Sequence, residues 1–100
     1  MRYEDIQRSL EILGLKGRIS FKHIKRRFRE LSKKYHPDLC QDDPDICAEK
    51  MREIKKAYSI LEEYCTNFKF EFSPEEFYRQ YPEELVKEHF YRSGPWGRKD

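Results

Sequence analysis

The chain has 100 residues, enough for one modest domain and too few for two. Charged residues make up 40% of it and aromatics 15%, so high solubility is expected, with a core resting on a few large side chains. The net charge of +2 is small because opposite charges are segregated along the sequence; no apolar run reaches the length of a membrane span or resembles a secretory leader.

In chain order, Tyr3, Ile6, Leu10 and Leu13 make the apolar stripe of a short first helix, with Gly14 as its C-terminal cap and Gly17 loosening the link beyond. A second helix is predicted over residues 20–35, where Phe21, Ile24, Phe28, Leu31 and Tyr35 recur at alternating steps of three and four. Ser20 is placed as its N-cap, and Ile19 and Ile24 as a hydrophobic staple. Its outer face carries Lys22, Arg26, Arg29 and Lys33 in one stripe, flanked by Lys25, Arg27 and Lys34, and Glu30 is its only acid. Like charges at helical spacing cost stability, so a face of one sign points to a negatively charged partner.

His36-Pro37-Asp38 ends that helix. The Pro ring pushes His36 out of helical geometry and Pro37 has no N–H to donate, which leaves a stiff turn presenting an imidazole and a carboxylate. By residue type alone it is a terminator and a solvated loop, with no nucleophile beside it. A third helix is predicted from residue 44 to about 65 on Cys47, Met51, Ile54, Tyr58, Leu61 and Cys65, opened by Asp43-Pro44-Asp45 as N-cap, first-position proline and acid facing the helix dipole. The two long stripes should close as an antiparallel hairpin held by Phe28, Leu31, Tyr35, Met51, Ile54, Tyr58 and Leu61, with the tripeptide at its exposed tip.

Residues 67–100 form an aromatic extension. Phe68, Phe70 and Phe72 alternate with polar residues as an extended segment with one aromatic face, and Ser73-Pro74-Glu75-Glu76 reads as a capping box. A helix should follow, broken or restarted at Pro82, to about Tyr91, and then a turn-rich tail in which Trp96 is an anchor. With Phe77, Tyr78, Tyr81, Phe90 and Tyr91 added, the extension holds more aromatic surface than a solvated tail should leave exposed. Packing on or beside the helices is the expectation; the alternative is an open surface for unfolded clients or a second copy of the chain.

Cys40, Cys47 and Cys65 form no CxxC pair and cannot all pair within one chain, so a reduced intracellular compartment is the simplest reading, with Cys47 and Cys65 as buried thiols. A metal site of Cys40, Cys47 and His36 has little support from spacing, and the Asp42-Asp43-Asp45 cluster lacks the length, glycine and terminal Glu of an EF-hand. No metal or cofactor is expected. The chain has no glycine-rich phosphate loop, Ser-His-Asp set or framed carboxylate pair, so it is not read as an enzyme. A small basic nucleic-acid-binding module is the rival reading; the stripe has arginines for guanine but no Asn or Gln for adenine, and duplex binding leaves the His-Pro-Asp turn unexplained.

Residues 10–61 resemble the J-domain of DnaJ-type co-chaperones: LEILGL at the end of the first helix, IKRRFRELSKKYHPD through the second, and KMREIKKAYSIL in the third. The resemblance implies that the domain docks on a DnaK-type heat-shock ATPase and accelerates its ATP hydrolysis; with the capped helices this reads as an all-α J-domain over residues 1–66, expected in the cytoplasm. His36, Pro37 and Asp38 would be the coupling turn, and Lys22, Lys25, Arg26, Arg29 and Lys33 would steer docking onto an acidic surface of the ATPase. Glu30 and Leu39 depart from the pattern, standing where many J-domains carry a basic residue. After Leu61 the family's usual fourth helix is not recognisable, and neither a glycine/phenylalanine-rich linker nor zinc-binding repeats follow, so the resemblance is to a minimal J-domain protein.

Overall fold

Local capping sets the end of the first helix and the starts of the second, third and fourth in the computed structural model, which describes residues 1–93, the last four by backbone alone. The helices are α1 (Tyr3–Leu13), α2 (Phe21–Lys34), α3 (Pro44–Thr66), α4 (Pro74–Gln80) and α5 (Pro82–Ser93), with no strand among the described residues, so the all-α expectation holds. α1 stops in a Schellman turn: Gly14, at φ 70°, donates to the Glu11 carbonyl at 3.1 Å, and Leu15 donates to the Leu10 carbonyl at 2.8 Å. A side chain at φ 70° would be strained, which is why a glycine stands there.

Ser20 caps α2 as expected, its Oγ accepting from the His23 N–H at 3.3 Å. The return bond of the capping box comes from an unpredicted partner, since His23 Nδ1 accepts from the Ser20 N–H at 3.5 Å in the position usually taken by Glu or Gln. α3 starts on Asp43, whose Oδ1 accepts from the Asp45 N–H at 2.8 Å, with Pro44 at the first helical position.

The chain divides into two compact units, Met1–Phe68 and Lys69–Asp100. In the first, Leu13, Ile24, Leu31, Ile54, Ala57 and Leu61 form the buried core, with Phe21, Phe28, Tyr35, Tyr58 and Cys65 packed around it and Ile19 joining from the staple position. Met51, expected to help close the hairpin, is only half-buried and stands outside this cluster. α3 is the central element, packed along both α2 and α1. Ser9 is fully buried on α1 and returns its hydroxyl to the Asp5 carbonyl at 2.7 Å, so a polar residue sits in the packed face without an unsatisfied group.

Two cysteine expectations need correction. Cys47 is buried, but as a half-cystine joined to Cys40 rather than as a thiol, because the loop after α2 turns back and brings the two Cα atoms to 6.4 Å. Cysteine usage therefore no longer supports a reduced compartment. Cys65 remains a free thiol, its pKa raised by burial.

Residues 68–72 carry no regular structure, and in the second unit the helix is broken and restarted at Pro82 as expected: α4 ends at its C-cap Tyr81, and α5 begins at Pro82, which has no N–H to offer. Ser73 Oγ accepts from the Glu76 N–H at 3.2 Å, but the Glu76 carboxylate turns to Arg79 and Gln80, so only half of the expected capping box forms. Tyr78 Oη donates to Glu88 at 2.7 Å and ties α4 to α5, and Phe77 packs against Tyr78 and Tyr81. Trp96 and its turn lie outside the described residues, as do the side chains of Phe90 and Tyr91. No helix among the described residues is long and apolar enough to cross a membrane.

Candidate docking site

At the C-terminus of α2 the backbone closes on itself. The His36 carbonyl accepts from both Leu39 N–H at 2.9 Å and Cys40 N–H at 2.8 Å, so the residues after Pro37 wrap into one tight turn. The His36 ring folds back over that turn, and its Nδ1 accepts from the Asp38 N–H at 3.1 Å. Accepting there requires a lone pair on Nδ1, which puts the proton of a neutral ring on Nε2. The Asp38 carboxylate is 88% exposed and stands 3.8 Å from the same Nδ1, too far for a hydrogen bond. Residues 36–38 therefore expose a ring N–H and a carboxylate side by side, on a backbone stiffened by Pro37.

Lys22, Lys25, Arg26, Arg29 and Lys33 are all exposed on α2. None of them is ion-paired with a carboxylate among the described residues; Lys25 instead lies over the Phe21 ring at 4.9 Å. The lower part of this face runs into the turn through a groove of about 520 Å³, lined by Phe28, Arg29, Ser32, Lys33, His36, Asp38 and Leu39. Phe28 forms an apolar wall, stacked on Tyr58 with ring centroids 4.3 Å apart. Tyr58 stays protonated to higher pH than usual because burial, and then the nearby Glu62, disfavour its phenolate. Arg29, Lys33, His36 and Asp38 thus share one groove, while Lys22, Lys25 and Arg26 continue the charged face along the helix.

A model of the DnaJ domain matches residues 9–65, more than half of the chain. The chain belongs to the DnaJ domain family. Over 51 residues this J-domain is 51% identical to the chaperone protein DnaJ of Halothermothrix orenii and to that of Methanothermobacter thermautotrophicus, and 41% identical to that of Vesicomyosocius okutanii. Each match covers 51% of this chain, and the chain spans only 13–14% of those relatives' length. No solved structure matches.

Besides the Cys40–Cys47 bond and the His23 cap, three features of this J-domain escaped sequence reasoning. Arg27, grouped with the outward cations, turns inward, and its Nε donates to the Leu13 carbonyl at 2.8 Å. A signal for this was present: Arg27 lies three positions after Ile24 and four before Leu31, both buried. Ser32 lines the groove with its Oγ buried and without a hydrogen-bond partner among the described residues. Leu39, exposed beside Asp38, gives the groove a second apolar wall where its place after the tripeptide suggested only a departure from the family pattern.

Proposed function

We propose that this chain is a co-chaperone that docks on a DnaK-type heat-shock ATPase through its His36-Pro37-Asp38 turn and the basic face of α2, stimulates the partner's ATP hydrolysis, and works in the cytoplasm. The observation that carries this reading is the shared groove, where unpaired cations, an apolar wall and an exposed donor–acceptor pair meet on one surface. Cations with no counter-ion on their own helix favour an acidic partner and speed the encounter, while the stiff turn supplies directional contacts once docked. Membership of the DnaJ domain family supports the same reading.

Single-turnover ATP hydrolysis by a DnaK-type chaperone, with and without this protein, tests it. The wild-type chain should accelerate hydrolysis. Asp38→Asn and His36→Gln should return it to the unstimulated rate, while each stays folded, since exposed substitutions usually cost within about 0.5 kcal/mol. Stimulation by folded Asp38→Asn at the wild-type rate would end the mechanism.

A further inference from the structure

Past the tripeptide the loop is tied down covalently. Cys40, two residues after Asp38, is half-buried; Cys47, in the first turn of α3, is 3% exposed, and their sulfurs are joined. The Cys40 N–H also donates to the His36 carbonyl at 2.8 Å. One residue is thus fixed to the coupling turn through its backbone and to the central helix through its sulfur. The geometry points to a reversible thiol–disulfide clamp at Cys40 and Cys47, exchanging with a low-molecular-weight thiol and its disulfide, that sets how firmly the His36-Pro37-Asp38 turn is held. Its effect on docking rests on the co-chaperone reading; its effect on the turn does not.

The exchange has a clear direction. A thiolate attacks Cys40 Sγ, the accessible sulfur; a mixed disulfide forms, the bond to Cys47 breaks, and Cys47 leaves as a thiolate that takes a proton from water. A second thiolate then attacks the outer sulfur of the mixed disulfide. The small disulfide departs, and the Cys40 thiolate is protonated. Two small thiols have been oxidised to one disulfide and the protein bond reduced to two thiols; closure is the reverse. The opened Cys40 thiol has an acceptor in place, because the Asp42 carbonyl lies 3.2 Å from its sulfur. Cys65 stays out of the exchange, being partly buried with its thiolate disfavoured. In a thiol-rich compartment such a bond is characteristically transient and redox-sensing, which suits a clamp better than a permanent staple.

Closing the bond removes conformations of the loop that docking would otherwise have to order, so it should tighten association without changing the maximal rate. The test uses the full chain equilibrated with oxidised glutathione or with dithiothreitol, together with Cys40→Ser. Peptide mapping should show Cys40 linked to Cys47 in the oxidised chain alone. Hydrogen exchange at the Leu39 and Cys40 amides, both bonded to the His36 carbonyl, should be slower in the oxidised chain, with Cys40→Ser matching the reduced wild type at the Leu39 amide. In the ATPase assay the oxidised chain should half-saturate at a concentration about five- to tenfold lower. Absence of the linked peptide, or equal exchange in the two redox states, overturns the clamp. Different exchange with equal half-saturation overturns its role in docking. If exchange differs but no form stimulates hydrolysis, the clamp stands and the co-chaperone reading falls.

Discussion

Arg27 shows how one side chain changes role once its surroundings are known. By sequence it is another cation on a basic helix, yet its Nε spans 14 positions to cap the carbonyl of Leu13, the last residue of α1. A helix end leaves its last carbonyls to be satisfied from outside, and Leu13 is fully buried although most of α1 is exposed. Its contact with Glu30 at 3.3 Å is a partly exposed i,i+3 pair and adds little. Arg27→Ala should therefore cost about 1–2 kcal/mol in urea denaturation, with the partial exposure of the guanidinium keeping it out of the upper range for charged hydrogen bonds. Arg26→Ala, one position away on the outer face, should stay within about 0.5 kcal/mol. Equal costs for the two would mean that the Leu13 bond contributes nothing specific.

α2 divides its circumference among three tasks. Ile24 and Leu31 enter the core, Arg27 reaches α1, and Lys22, Arg26, Arg29 and Lys33 face outward. The outward face can be altered without unfolding the helix. Reversing Arg26 and Arg29 to Glu places each acid at i,i+4 spacing from a lysine, Lys22 or Lys33, which favours the helix slightly. The double variant should thus keep its melting temperature and lose association rate, with stimulation at saturation little changed. Salt should weaken docking of the wild type more than of the variant, because exposed charges are screened beyond about 8–10 Å at ordinary ionic strength. Identical salt slopes would remove this face from the mechanism.

At the scale of the molecule, among the described residues every member of the core cluster and its surrounding layer lies within Met1–Phe68. A fragment ending at Phe68 should therefore fold with a cooperative thermal transition, and by the docking proposal it should stimulate the ATPase. Non-cooperative melting would show that the core depends on residues beyond it. The same measurement tests the expectation that the extension packs on or beside the helices: that arrangement requires the full chain to melt clearly higher than the fragment, since burying a large side chain stabilises by about 1.5–3 kcal/mol. Equal melting temperatures would favour the extension as a binding surface.

Sequence alone determined what is settled within one or two turns of chain. The starts of α2 and α3 at Ser20 and Asp43, the stop of α1 at Gly14 and the break at Pro82 follow from hydrogen bonds and dihedral limits between residues at most five apart, so residue type and spacing suffice. Even there His23 was missed, because a ring nitrogen took the place of the expected carboxylate. Tertiary structure decided what depends on the path between elements. Whether Arg27 faces a partner or the Leu13 carbonyl depends on where α1 ends against α2. Whether Cys40 meets Cys47 depends on how the loop turns after Pro37. The basic face and the tripeptide are legible separately, but the groove that joins Arg29 and Lys33 to His36 and Asp38 exists only because the His36 carbonyl gathers two N–H groups and folds the chain back beside Phe28. Helical periodicity assigns residues to faces; it carries no information on where an irregular turn sends the next one.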